Sequence, residues 1–289
     1  MYAAHAGDVA RVKWLLARGA RLELKDWQGH TALFWGAQEG RVATVRELLA
    51  RGAVVDAANE DGWTPLFIAS HKGHVETVRE LLAQGAAVGA ADEGGWTPLF
   101  IASRMGHVEV VRELLARGAA SDAADEGGRA PLFIASRMGH VEVVRELLAR
   151  GAAVDAADEG GRAPLFIASR MGHVEVVREL LGRGAAVDAV TEDGLTPLCI
   201  ASQEGHFEVV QELLGRGATV DAAMNFGRTP LQVASARGHV EVVRELLARG
   251  ALPALAAEDG ATALTIASGC GHAAIVQLLR AALGLRAHE

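Results

Sequence analysis

Two hydrophobic rhythms alternate along the chain. In residues 95–127, LFIASRM (99–105) is nearly all apolar, whereas HVEVVRELLAR (107–117) sets Val108, Val111, Leu114 and Leu115 along one stripe. The first pattern predicts a short buried helix, the second a helix with one face toward a core. Thr97 followed by Pro98 supplies an N-cap and a proline at the first helical position. Gly106 and Gly118 stop the two helices. AASDAADEGG (119–128) returns as an extended, turn-rich loop, and glycines such as Gly95 permit the positive φ of a tight hairpin turn. The unit is therefore helix, turn, helix, hairpin loop.

This unit recurs with a fixed step. Gly29, Gly62, Gly95, Gly128, Gly161, Gly194, Gly227 and Gly260 are each 33 residues apart, with no insertion. Columns beginning at Gly40 and Gly19 keep the same step, and PLFIASRMGHVEVVRELL occurs verbatim at 98–115, 131–148 and 164–181. One such unit cannot bury its own apolar stripe. Stacked neighbours can, so the expected fold is an all-α repeat solenoid held by nearest-neighbour contacts.

These residues carry a family resemblance. GWTPLFIASHKGHVETVRELLAQGA (62–86) resembles the ankyrin repeat, with its G-x-T-P-L-H-x-A, G-H-x-x-x-V and L-L-x-x-G-A signatures, over nearly the whole chain. The resemblance implies a single curved ankyrin-repeat domain over 1–289: an N-terminal cap at 1–28, seven repeats across 29–259, and a C-terminal capping repeat at 260–289. The family's histidine after T-P-L, which ties the turn to neighbouring backbone, is replaced by Phe34, Phe67, Phe100, Phe133, Phe166, Cys199, Gln232 and Thr265, exchanging polar ties for apolar burial. Ala130 and Ala163 replace the capping threonine. Near the ends, Arg280 stands in a leucine column, while Trp14 and Leu278 stand in a glutamate column, either covering the end of the core or serving as docking points. Trp35 shares the column of Ile68 and Ile101 and is expected in the core.

Composition narrows the function classes. The 289 residues are half hydrophobic and 22% charged, a folding composition. The net charge of -8 argues against nucleic-acid binding. No stretch reads as a signal peptide or a membrane span. Cys199 and Cys270 lie far apart and form no disulfide framework, which fits a reducing compartment. An intracellular location, cytoplasmic with the nucleus left open, and a monomeric state are the expectations. The column His74, His107, His140, His173, His206, His239 and His272 invites a metal reading. Stacked helices lie ~8–10 Å apart, whereas zinc ligands sit ~2 Å from the ion, so histidines one repeat apart cannot share a metal. The resemblance implies inter-repeat hydrogen bonds for them instead. No phosphate loop, nucleophile elbow or deaminase motif is present, so neither catalysis nor a cofactor is expected. Glu109 with Arg112 and its counterparts read as a solvated helix face.

Within this frame certain columns vary. The resemblance places protein binding on the hairpins and the first-helix face. Trp27, Trp63 and Trp96 fall on adjacent hairpins, either as exposed interface anchors or as rings lying flat over backbone. Arg104, Arg129, Arg137, Arg162 and Arg170 form an expected basic stripe, with Arg228 in the same hairpin column. Met105, Met138 and Met171 interleave with it. The complement is an acidic-apolar protein segment. The alternative is that the arginines pair with Glu93, Asp125, Glu126, Asp158 and Glu159, otherwise a solvated acidic ridge. Three readings follow: a non-catalytic protein-interaction scaffold, the recognition domain of a larger effector such as a kinase, ubiquitin ligase or channel, or a duplicated or designed array selected for stability.

Overall fold

In the computed structural model, which describes residues 1–285, the two rhythms become paired helices. The first-helix series runs Pro65–Lys72 (α5), Pro98–Met105 (α7), Pro131–Met138 (α9), Pro164–Met171 (α11), Pro197–Glu204 (α13) and Pro230–Arg237 (α15), preceded by Tyr2–Ala6 (α1) and Ala32–Gln38 (α3) and followed by Ala263–Gly269 (α17). Each is followed by its partner: Val9–Ala17 (α2), Val42–Ala50 (α4), Val75–Ala83 (α6), Val108–Ala116 (α8), Val141–Ala149 (α10), Val174–Gly182 (α12), Phe207–Gly215 (α14), Val240–Ala248 (α16) and Ala273–Ala282 (α18). Thr64, Thr97 and Thr196 accept the backbone N–H three residues on, as N-caps do. Ala163 holds the same extended conformation without a cap bond.

The chain forms two compact units: Met1–Ala135 with Glu142–Ala153, and Ser136–Val141 with the chain from Val154 onward. In the first, α1, α3, α5 and α7 stack in series. In the second, α11, α13, α15 and α17 do the same. The architecture is an all-α repeat solenoid.

The core lies where the two helices of a repeat meet those of the next. Leu99, Phe100, Ile101 and Ala102 are buried, and so are their counterparts. In α8 the buried residues are Val110, Val111 and Leu114, while Val108 and Leu115 are half-buried. The stripe is thus rotated from the expected one, with Val110 taking a buried place in it. Trp35 departs from expectation as well. It is half-buried, and its indole N–H donates to Asp26 Oδ2 at 2.9 Å, which holds the ring at the edge of the core.

The hairpin loops carry no strands among the described residues, apart from an isolated bridge between Ala256 and Thr262. A side chain closes them instead. Asp125 Oδ1 accepts from the backbone N–H of Gly127 and Arg129, and Asp125 N–H donates to the Arg129 carbonyl at 3.1 Å. Asp26, Asn59, Asp92 and Asp158 close their loops alike. The ladder of a β-hairpin is replaced by an Asx-type turn.

Candidate functional site

The histidine column is structural where its bonds are described. His74 Nε2–H donates to the Gln38 carbonyl at 2.9 Å, and His107 donates to that of His71 at 3.0 Å. His173 and His206 donate to the carbonyls of Arg137 and Arg170 at 3.0 and 2.9 Å, and His239 and His272 continue the pattern. Each ring lies against the glycine ending the previous first helix. A Cβ on Gly73 would meet His107 at 2.7 Å, and Gly73 has φ +76. Glycine is required there both for its conformation and for the close approach. Among the described residues no three acidic, histidine or cysteine side chains converge as a metal set.

Of the two readings of the hairpin arginines, a basic stripe or pairing with the neighbouring acids, Arg129 and Arg162 follow the pairing. The Arg129 guanidinium sits 2.7 Å from Asp125 Oδ2, and Arg162 sits 2.7 Å from Asp158 Oδ2. Both carboxylates are almost fully buried. Burial alone would raise the Asp125 pKa, but the Arg129 side chain and the turn N–H groups outweigh it and hold the carboxyl below its ordinary range. These arginines neutralise a buried acid and are consumed by the turn. Arg228 bonds to Asp259 across to the next hairpin at 3.2 Å.

Of their two readings, exposed anchors or rings laid flat on the chain, Trp63 and Trp96 follow the second. Both are half-buried. Trp63 lies over Phe67, with centroids 5.1 Å apart, and Trp96 stacks on Phe100 at 5.4 Å. Their indole N–H groups donate to Asp92 and Asp125 of the following hairpin. They tie one repeat to the next. Trp27 does not: it is 83% exposed.

At the ends of the first helices, Arg104 is half-buried with its guanidinium 4.8 Å from the centre of the Trp96 ring. Met105, Met138 and Met171 are 42%, 46% and 46% exposed, in contrast to the buried residues around them. Arg137 and Arg170 are exposed. Their carbonyls are bound by His173 and His206, while neither guanidinium has an ion-pair partner among the described residues. In the second unit, then, Arg137–Met138 and Arg170–Met171 present unspent charge beside apolar surface.

Sequence reasoning missed two networks. Arg79 and Arg112 reach across to Glu113 and Glu146 of the next repeat at 3.0 Å, and Arg178 reaches Glu212 at 2.9 Å. Helix spacing of three had suggested pairing only within one helix. In the loops, Asp56, Asp122, Asp155, Asp188 and Asp221 each accept a backbone N–H from the following loop. The signal for both was a column of one residue type in unit after unit.

At the ends, Trp14 is 52% exposed with Arg18 stacked 4.1 Å above its ring. Arg280 and Leu278 are half-buried, and Arg280 lines an open cavity of about 670 Å³ with Gln277 and Val276. The lone buried thiol, Cys199, is pushed up to about 12 by burial and contacts Met224 sulfur at 3.6 Å, so it is inert packing.

No helix among the described residues is long and apolar enough to cross a membrane. A search of curated proteins found no match. The family model described as ankyrin repeats (3 copies) matches residues 1–92, 49–125, 80–158, 117–193, 151–224 and 219–286. Ankyrin repeats are generally non-enzymatic modules that bind proteins. With its period, glycine-stopped helix pairs and inter-repeat histidines all in that pattern, the chain belongs to the ankyrin repeat family.

Proposed function

We propose that the chain is a non-catalytic scaffold that binds an acidic-apolar protein segment on its first-helix face. The observation that carries this is the repeated Arg–Met pair in the second unit, an unpaired guanidinium beside a half-exposed methionine. By contrast, Arg129 and Arg162 are spent on their turns, and Arg178 on the neighbouring repeat. A solvated arginine carries its charge into an encounter, and methionine adapts its shape to aliphatic groups. Arg104 with Met105 offers the same chemistry in the first unit, with Arg104 held over Trp96. Arg129, Arg162, Arg228, Trp63 and Trp96 contribute by fixing the frame.

Selection from a displayed random-peptide library tests this. The full chain enriches peptides combining Asp or Glu with Leu, Ile or Val. The Arg137→Glu, Arg170→Glu double variant loses them by at least about ten-fold with an unchanged melting temperature. Enrichment without acidic bias, or equal binding by the variant, overturns the assignment.

A further inference from the structure

The first unit holds a second feature that the Arg–Met rungs do not use. Met1, Tyr2, His5, Asp26, Trp27 and Trp35 line one cavity of about 380 Å³, within the size range of small-ligand pockets. Three of the six are large aromatics and one is a carboxylate. Tyr2 is 95% exposed and Trp27 is 83% exposed, far more than a folded chain needs for its own core. Trp35 is held in place from behind: its indole N–H donates to Asp26 Oδ2 at 2.9 Å, and the His5 and His30 rings lie edge-on to it at 5.5 and 5.2 Å.

Asp26 supplies the charge. Its side chain is 17% exposed. Oδ1 accepts from the Gln28 and His30 N–H groups, and Oδ2 from Trp35 and the His30 ring. Burial opposes ionisation, but these hydrogen bonds outweigh it and hold the carboxyl below its ordinary pKa. Burial lowers the pKa of the Met1 amino group despite the attraction of Asp26, so these surroundings disfavour a strongly hydrated cation. Elsewhere in this unit, two tryptophans carry the chain's own guanidiniums, Arg18 over Trp14 and Arg104 over Trp96. No such cation covers Tyr2, Trp27 or Trp35 among the described residues.

A cavity lined by three aromatic rings and a half-buried carboxylate suits a large, weakly hydrated cation. A quaternary ammonium is attracted by the ring quadrupoles, loses little hydration on entry, and needs no hydrogen-bond acceptor. A primary ammonium must give up three hydrogen bonds to water, and the Asp26 oxygens are already occupied. We infer that this cavity binds a quaternary ammonium, carried by a trimethylated lysine side chain on a protein partner. The protein source rests on the protein-binding reading above. The cavity chemistry does not, and its residues are distinct from Arg137, Met138, Arg170 and Met171.

The test is a titration of the full chain, followed by tryptophan fluorescence, with N-acetyl-trimethyllysine amide. Controls are N-acetyl-lysine amide, the neutral analogue with a tert-butyl carbon in place of the trimethylammonium, and choline. The trimethyllysine compound binds, and lysine and the neutral analogue bind at least about ten-fold more weakly, the scale of a desolvated cation–π contact. Choline, lacking the aliphatic stem, is weaker as well. Trp27→Ala weakens binding by about five-fold or more with an unchanged circular dichroism spectrum, as its exposure allows, and Trp35→Phe keeps part of the affinity. Acetylating the Met1 amine leaves affinity equal or higher. Equal binding of the neutral analogue, indifference to Trp27→Ala, or loss of binding on acetylation overturns the site. Choline binding as tightly as the lysine compound overturns the lysine source. Arg137→Glu, Arg170→Glu binds the trimethyllysine compound normally, so failure of either proposal is seen separately.

Discussion

Position 89 shows how one side chain completes a network or leaves it open. Asp56, Asp122, Asp155, Asp188 and Asp221 each accept an N–H from the following loop, but the same column holds glycine at 89. Gly89 lies outside the positive-φ glycines, and nothing lies within 4 Å of a Cβ built on it. Gly89→Asp should therefore restore the loop-to-loop bond to Ala120 and reduce the freedom of the unfolded chain. The expected gain is about 1 kcal/mol, measured by urea unfolding. A second residue-scale consequence concerns acid. The folded Asp125 pKa lies below its ordinary value, so its contribution is fully present above the unfolded carboxyl value, ~4, and is lost as pH falls through the lower folded one. Asp125→Asn should lower stability at pH 7 and flatten its decline between pH 5 and 2. An acid limb as steep as that of the unsubstituted chain would contradict the role given to this carboxylate. Sequence reasoning placed Asp125 and Glu126 together on a solvated ridge. In the structure Asp125 is 6% exposed and Glu126 is exposed. Hydrophobic patterning cannot separate two adjacent acids, since only the turn decides which one faces inward.

At the scale of the helix the sequence is far more informative, because the period, the caps and the stopping glycines all act locally. The expected helices at 98–105 and 107–117 appear as Pro98–Met105 and Val108–Ala116. What escaped were ties running from one repeat to the next, such as Arg79 to Glu113 and Trp63 to Asp92. A single unit does not contain those partners. The candidate surface was legible to the same degree: the Arg–Met pairs stand clear of their frame, whereas Arg129 and Arg162 belong to it. The missing cap of α11 is a local defect of the legible kind. Ala163 is 4% exposed in the extended conformation shared by Thr97 and Thr196, which fit a threonine at the same place. Ala163→Thr should stabilise by about 1 kcal/mol and slow hydrogen exchange at the first amides of α11. No change in their exchange would show that Pro164 and stacking already fix that turn.

Across the whole molecule stability is assembled from short-range links. Within each unit the first helices pack on their immediate neighbours, and the histidine, tryptophan, aspartate and arginine ties reach one repeat onward. A chain built this way couples strongly at short distance and weakly at long distance, as a one-dimensional array does. The six orphaned serine hydroxyls, Ser70, Ser103, Ser136, Ser169, Ser202 and Ser235, all 0% exposed, show what repetition does to a small local cost: a duplicated unit carries it everywhere. A substitution in one repeat should behave in the opposite way and remain local. Phe166 is 3% exposed in α11, a helix that packs on α12 and α13. Phe166→Ala should cost about 3–5 kcal/mol of local packing. In hydrogen-exchange mass spectrometry, protection should fall in peptides covering α11, α12 and α13 and remain unchanged in those covering α3 to α6. A uniform fall along the chain would mean that the repeats unfold as one cooperative body, and nearest-neighbour assembly would then be the wrong description of this array.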